Sequence, residues 1–178
     1  MSTIEKSMLL KHIRAILIFP VMVIIVIPLL LLREDNSAHT KWIDIWQFSS
    51  FTKIIGILLM LSGLILMIKT ITLFATVGRG TLALWDPTQK LVVQGVYRYV
   101  RNPMISGVFC ILLGEALFFG SYSIFLWFLI FVSINLIYIP LLEERELKNR
   151  FGDEYTDYKK NVPRWIPRFS PWENRPGR

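Results

Sequence analysis

Residues 54–77 read IIGILLMLSGLILMIKTITLFATV, a run whose sole charge is Lys69. At about 1.5 Å of rise per residue it makes a helix of roughly 36 Å, enough to cross a hydrocarbon core about 30 Å thick. Gly56 and Gly63 lie within it, where a missing Cβ lets a neighbouring helix come close.

Three further apolar runs flank this one. Residues 15–32, between Arg14 and Arg33, carry no charge and contain Pro20 and Pro28, which a membrane helix tolerates with a kink. The polar Arg33-Glu34-Asp35-Asn36 follows where a signal peptide would show a small-x-small cleavage site, so the run reads as a retained anchor. Asn102-Pro103 reads as the N-cap and first residue of a third span reaching about Phe119. Gly120-Ser121-Tyr122-Ser123 is a tight turn, and residues 124–142 form a fourth span. The last two spans make a helical hairpin. Beyond them Glu143-Glu144-Arg145-Glu146-Leu147-Lys148 continues as a charged helix into a tail rich in Arg and Pro. The expected fold is all-α: one polytopic membrane domain over residues 1–178 with about four transmembrane helices, a loop over 78–102 and a C-terminal segment over 143–178. Within the loop, Leu91-Val92-Val93 is β-like.

Composition agrees. The 178 residues are 53% hydrophobic and 19% charged, which excludes a disordered chain. A net charge of +7 would suit nucleic acid, but the basic residues crowd beside the apolar runs. With the N-terminus cytoplasmic, 16 of the 20 Lys and Arg fall on the inner side, which places both termini and the long loop in the cytoplasm of a bacterial inner membrane or its equivalent. Cys110 stands alone, and His12 and His39 are far from it and from each other, so no metal site is expected.

A hairpin sets the start of its first helix beside the end of its second. Arg101 and Asn102 should therefore lie near Glu143 and Glu144, with Trp85, Tyr97 and Tyr99 close by. Arg and a helix N-terminus favour a carboxylate, carboxylates favour an ammonium or ribose hydroxyls, and aromatic faces favour a cation. S-adenosylmethionine combines all of these groups.

The segments Gly95-Val96-Tyr97-Arg98-Tyr99-Val100-Arg101-Asn102-Pro103-Met104, Glu143-Glu144 with Leu147, Phe151-Gly152-Asp153-Glu154-Tyr155, Tyr158, and Val162-Pro163-Arg164-Trp165-Ile166-Pro167 resemble the isoprenylcysteine carboxyl methyltransferase and phospholipid methyltransferase superfamily. The likeness runs from about Gly78 to Arg168. It implies an integral membrane methyltransferase that holds S-adenosylmethionine between its last helices and C-terminal segment, while a lipid-soluble or amphiphilic acceptor enters between helices. It further implies that Gly78 and Gly80, with Glu143 and Glu144, bind the cofactor. Tyr97, Tyr99, Arg101 and Asn102 complete the expected cofactor site, and Arg101, Asn102 and Glu144 are the expected catalytic residues. Where the isoprenylcysteine enzymes show Arg-His-Pro-x-Tyr, this chain has Arg101-Asn102-Pro103-Met104-Ile105. Asn caps a helix and hydrogen-bonds a ligand but takes no proton near neutral pH. The acceptor therefore stays open among an isoprenylcysteine-type carboxylate, a phospholipid amine and a small thiol. For an amine, Glu144 or a water it holds is the expected base. The rival functions are an NADPH-dependent sterol-type reductase and a non-catalytic membrane protein that retains the pocket.

Each residue also has a plainer reading. Glu143 and Glu144 read alternatively as solvated charges, Arg98 and Arg101 as positive-inside anchors, Gly78 and Gly80 as a helix stop, and Cys110 as packing. Trp165 is expected in the interfacial aromatic belt. Glu115 falls near mid-bilayer, where it either lines an acceptor tunnel or bridges to Lys69.

Overall fold

The computed structural model describes residues 17–38, 46–73, 76 and 91–173. Gly78, Gly80 and Trp85 lie outside the described residues. The first helix, α1, is π-wound over Leu17–Val26 and α-helical over Ile27–Ala38. Then come α2 (Trp46–Leu73), a 3-10 turn (Gly95–Arg98), α3 (Pro103–Phe119) and α4 (Tyr122–Tyr138). A π-turn over Ile139–Glu143 joins α4 to α5 (Glu144–Asn161). Both π-wound stretches contain a proline, Pro20 and Pro140. A proline lacks the N–H of the regular ladder, and wider winding absorbs the loss without ending the helix.

Among the described residues there is no strand. Leu91-Val92-Val93, expected as β-like, finds no partner strand; Leu91 and Val93 instead pack against Tyr155, Tyr158 and Val162. Ser50–Leu73 and the continuous helical stretch Tyr122–Asn161 are long and apolar enough to cross a membrane, and Pro103–Phe119 is a shorter apolar helix. On α2 the side chains of Ile54, Leu58, Leu61, Ile65 and Ile68 are exposed along its length, as are Leu126, Ile130, Ile134 and Ile137 on α4. Apolar residues spread over whole helices in this way suit lipid as solvent.

Helices α2 and α3 run antiparallel through four glycines. A Cβ placed on Gly63 would stand 2.4 Å from the Gly107 carbonyl oxygen, and one on Gly56 would stand 2.7 Å from that of Gly114. The contact is reciprocal, at 2.9 Å for Gly107 against Gly63 and 2.6 Å for Gly114 against Gly56. Only hydrogen fits there, so the glycines hold the backbones together and fix the register. That register removes the Glu115–Lys69 bridge, one of the two readings of Glu115. Glu115 follows Gly114 and so sits at the level of Gly56, about 20 Å along α2 from Lys69. Lys69 is exposed, while Oε2 of Glu115 is buried with no partner among the described residues.

At the far end of the hairpin, Gly120 ends α3 in the left-handed conformation, φ 64°. Ser121 then caps α4 by accepting the Ile124 N–H. The hydroxyls of Ser121 and Ser123 both donate to the buried carboxylate of Asp35, which pins the turn to α1. The core between these helices is built from Val23, Met67, Val108, Ile111, Leu112 and Phe131. Trp127 adds a hydrogen bond from its indole Nε1 to the Val23 carbonyl, 3.1 Å.

Candidate active site

Opposite that turn, the segment before α3 lies along the C-terminal tail. The Arg101 N–H donates to the Pro163 carbonyl (2.9 Å), the Arg168 N–H to that of Tyr99 (3.0 Å) and the Trp172 N–H to that of Arg98 (2.9 Å). Arg98 Nε also reaches the Trp172 carbonyl at 2.8 Å. The buried Tyr158 hydroxyl donates to the Tyr97 carbonyl at 2.8 Å. Segment and tail are thus fastened to each other and to α5.

At the centre stands Glu144, whose side chain is 3% exposed. Its Oε1 accepts from Arg101 Nη1 at 2.8 Å and from Arg164 Nε at 2.7 Å, and its Oε2 meets Lys159 Nζ at 2.7 Å. Lys159 is fifteen residues further along α5, which on a straight helix would be about 22 Å away. Gly152 makes the contact reachable. Its φ of 54° and ψ of −124° interrupt the helix in a conformation open to glycine, and the second half turns back on the first. Burial pushes the Glu144 carboxyl up, but hydrogen bonds from Arg164 and Lys159 and the charge of Arg101 outweigh it and hold the group below the ordinary carboxylate range.

Glu143 is treated oppositely. It is half-buried, no cation pairs with it among the described residues, and burial together with the charges of Glu144 and Glu146 pushes its carboxyl up to about 7. Burial likewise pushes the Tyr155 phenol up to about 12 and that of Tyr97 well above its ordinary range. Arg101 Nη1 also donates to the Tyr155 hydroxyl at 3.3 Å, leaving Arg101 Nε buried with no partner among the described residues. Beside these groups a half-open cleft of ≈ 380 Å³ is lined by Glu144, Lys148, Tyr155, Thr156, Lys159 and Lys160.

Of the residues expected in the site, Arg101 and Glu144 are in contact, with Glu143 adjacent. Tyr97 is buried, with its carbonyl held by Tyr158, and Tyr99 is exposed. Asn102 stands at the N-cap position and Pro103 begins α3, as expected, but the Asn102 side chain makes no capping bond. The Asn102 carbonyl accepts the first helical bond from the Ser106 N–H and a second from Ser106 Oγ. Glu115 lies about 20 Å along α3 from Arg101 and is not brought to the cluster. Trp165, expected in the interfacial aromatic belt, packs on Phe109, ring centroids 5.2 Å apart, with its indole Nε1 buried and without a partner among the described residues. Sequence reasoning missed Lys159 and the ion pair of Arg164. The signal for Lys159 would have been the glycine itself, since a break at Gly152 lets position 159 face position 144.

The fold and site together define a class: apolar helices of membrane-crossing length that carry a buried charge cluster where the last of them leaves the apolar region. The chain belongs to the phospholipid methyltransferase family, whose family model matches residues 51–154. Over 83 residues it is 36% identical to the protein-S-isoprenylcysteine O-methyltransferase of Schizosaccharomyces pombe, covering 43% of this chain and 33% of that protein. Over 81 residues it is 32% identical to the methanethiol S-methyltransferase of Crocosphaera subtropica, covering 44% and 29%. The matched part thus spans about a third of either relative.

Proposed function

We propose that the chain is an integral membrane methyltransferase that uses S-adenosylmethionine to methylate an amphiphilic or lipid-soluble acceptor at the cytoplasmic face, with four spans and both termini inside. The observation that carries this reading is the Arg101–Glu144 contact. It gathers the start of α3, the exit of α4 and the tail at the boundary between apolar and charged structure, beside a cleft lined by α5. The donor set fits the cofactor: the unpartnered Arg101 Nε suits its carboxylate, and the unpaired Glu143 suits its ammonium or ribose hydroxyls. When bound, the cofactor supplies an electrophilic methyl group on a sulfonium.

Methyl transfer is an in-line displacement, so the protein's main lever is orientation, worth up to about 7–11 kcal/mol of a barrier. Arg101 is anchored through its backbone and its guanidinium, and it holds one side of the site rigid. A carboxylate or thiolate acceptor needs no base, whereas an ammonium must first lose a proton. Glu144, engaged by three cations and acidified by them, is poorly suited to take it. Glu143, with its carboxyl near 7, is matched to that task at neutral pH. The Asn102 amide, left out of the helix cap, is available to hydrogen-bond a ligand. The names of both relatives are those of methyltransferases, which favours this reading over a reductase.

Titration calorimetry on detergent-purified protein tests the reading. The wild type should bind S-adenosylmethionine, and Glu143→Ala and Arg101→Ala should each weaken binding tenfold or more. No binding by the wild type, or unchanged binding in both variants, overturns it. Supplying membranes with a labelled methyl donor then shows which lipid, peptide or thiol becomes labelled.

A further inference from the structure

Two tryptophans serve the aromatic cluster between α3 and α4, and their indoles are treated differently. Trp127 sits 6.3 Å from Phe131 and gives its N–H to the Val23 carbonyl. Trp165 comes from the tail and stacks on Phe109 at an interplanar angle of 33°, while Phe109 meets Phe128 and Phe131 edge-on. Its N–H is buried and finds no partner among the described residues. A buried donor left unpaired is costly and rare enough to ask what fills it.

The placement of Trp165 is enforced. Backbone hydrogen bonds at Pro163 and at Arg168 clamp the loop on both sides, so residues 164–167 form a short wedge. Within it Arg164 points at Glu144 and Trp165 at Phe109, adjacent side chains facing charge and hydrocarbon respectively. Ile166 and Phe169 remain fully outside, at 79% and 109% exposure. The wedge therefore lies where the head of an amphiphile would meet its chain. An indole N–H donates and never accepts, so its partner must be an acceptor atom.

We infer that Trp165 is a specificity-determining residue for the methyl acceptor, donating its indole N–H to an oxygen of the acceptor's head group while its ring and Phe109 border the acceptor's hydrocarbon. The inference rests on the methyltransferase reading and narrows it to amphiphiles with a carbonyl, carboxylate or phosphate oxygen beside the chain. A bare thiol lacks that oxygen and gains nothing from the donor.

Trp165→Phe keeps the ring and deletes the N–H. Two probes share one chain: N-acetyl-S-farnesylcysteine, with head-group oxygens, and farnesyl thiol, without them. The variant should raise KM for the first about tenfold with kcat within twofold, leave KM for the thiol unchanged, and leave S-adenosylmethionine affinity unchanged. Equal effects on both probes, or none on either, overturn the inference. A readout that needs neither turnover nor a folded variant is the indole 15N–H spectrum of the wild type with its six tryptophans. One signal should move downfield with the oxygen-bearing probe and stay put with the thiol; a spectrum unmoved by the first probe also overturns the inference. Absent cofactor binding by the wild type would instead strike the methyltransferase reading, with the spectrum still deciding whether Trp165 meets an oxygen.

Discussion

Replacing Glu144 by Gln keeps the shape of the side chain and removes its charge. Three cations then face a neutral amide: Arg101 with 9% of its side chain exposed, Arg164 with 27% and Lys159 with 47%. Lys159 can turn to water at little cost, and Arg164 in part, but Arg101 is held by its backbone bond to Pro163 and cannot leave. Stranding one partner of a buried pair costs roughly 3–5 kcal/mol, and with two of the three cations able to hydrate, about 3 kcal/mol is expected here. For a chain of this length that is a fall in Tm of about 6–12 °C. The assay is thermal unfolding in detergent at pH 7.5, read by circular dichroism. Because the folded carboxyl lies below the ordinary range, its stabilising contribution is present above the unfolded value and is lost as the pH falls through the folded one. The gap between wild type and Glu144→Gln should therefore hold across neutral pH and close only in acid. A variant within about 2 °C of wild type at pH 7.5 would refute the view that Glu144 organises this end of the molecule.

Glu143→Gln should show the opposite trend. A folded value of about 7 gives a contribution complete below the unfolded value and lost as the pH rises through 7, so the variant should gain on the wild type in melts between pH 5 and pH 8. Gly152→Ala meets no atoms within 4 Å, yet the positive φ strains any L-residue. It should cost about 1–3 kcal/mol, and Lys159→Ala added to it should cost little more, because the two disrupt the same contact. Gly63→Ala places a methyl 2.4 Å from a backbone oxygen, and overpacking of about 1–3 kcal/mol should exceed the roughly 1 kcal/mol that alanine gains in helix propensity. Detergent melts that find it more stable than wild type would remove the glycine seam as the determinant of helix register.

What could be read from sequence was whatever depends on neighbours along the chain. The apolar runs, the start at Asn102-Pro103, the turn at Gly120-Ser121 and the close approach at Gly56 and Gly63 are all local signals; α3 and α4 appear where those signals put them, while α2 begins at Trp46, eight residues ahead of its apolar run. The Arg101–Glu144 contact was legible one step further out, because a hairpin of two similar helices leaves its ends no other place to be. Two matters depended on information that the runs do not carry. The Glu115–Lys69 bridge failed because the partners of Gly56 and Gly63, namely Gly114 and Gly107, set a register that composition does not reveal. Lys159 and the Trp165–Phe109 contact were missed because each is delivered by a change of chain direction, at Gly152 and at the clamped loop 164–167.

Glu143 and Glu144 are adjacent, carry the same side chain and leave the apolar region at the same height, yet their surroundings differ by three cations. On a helix, neighbours in sequence point about 100° apart, so one rotation carries Glu144 towards Arg101, Arg164 and Lys159 and leaves Glu143 in a half-buried place without any among the described residues. Environments that push two like groups apart are how a site assigns one to hold and another to exchange protons. A charge that binds three cations can fix the start of α3, both halves of α5 and the tail, but by the same bonds it is spent on structure. The carboxyl left free of cations can respond to a ligand. On this argument the pair is one device in two parts, and moving the charge from position 144 to 143 would lose the scaffold without improving the site.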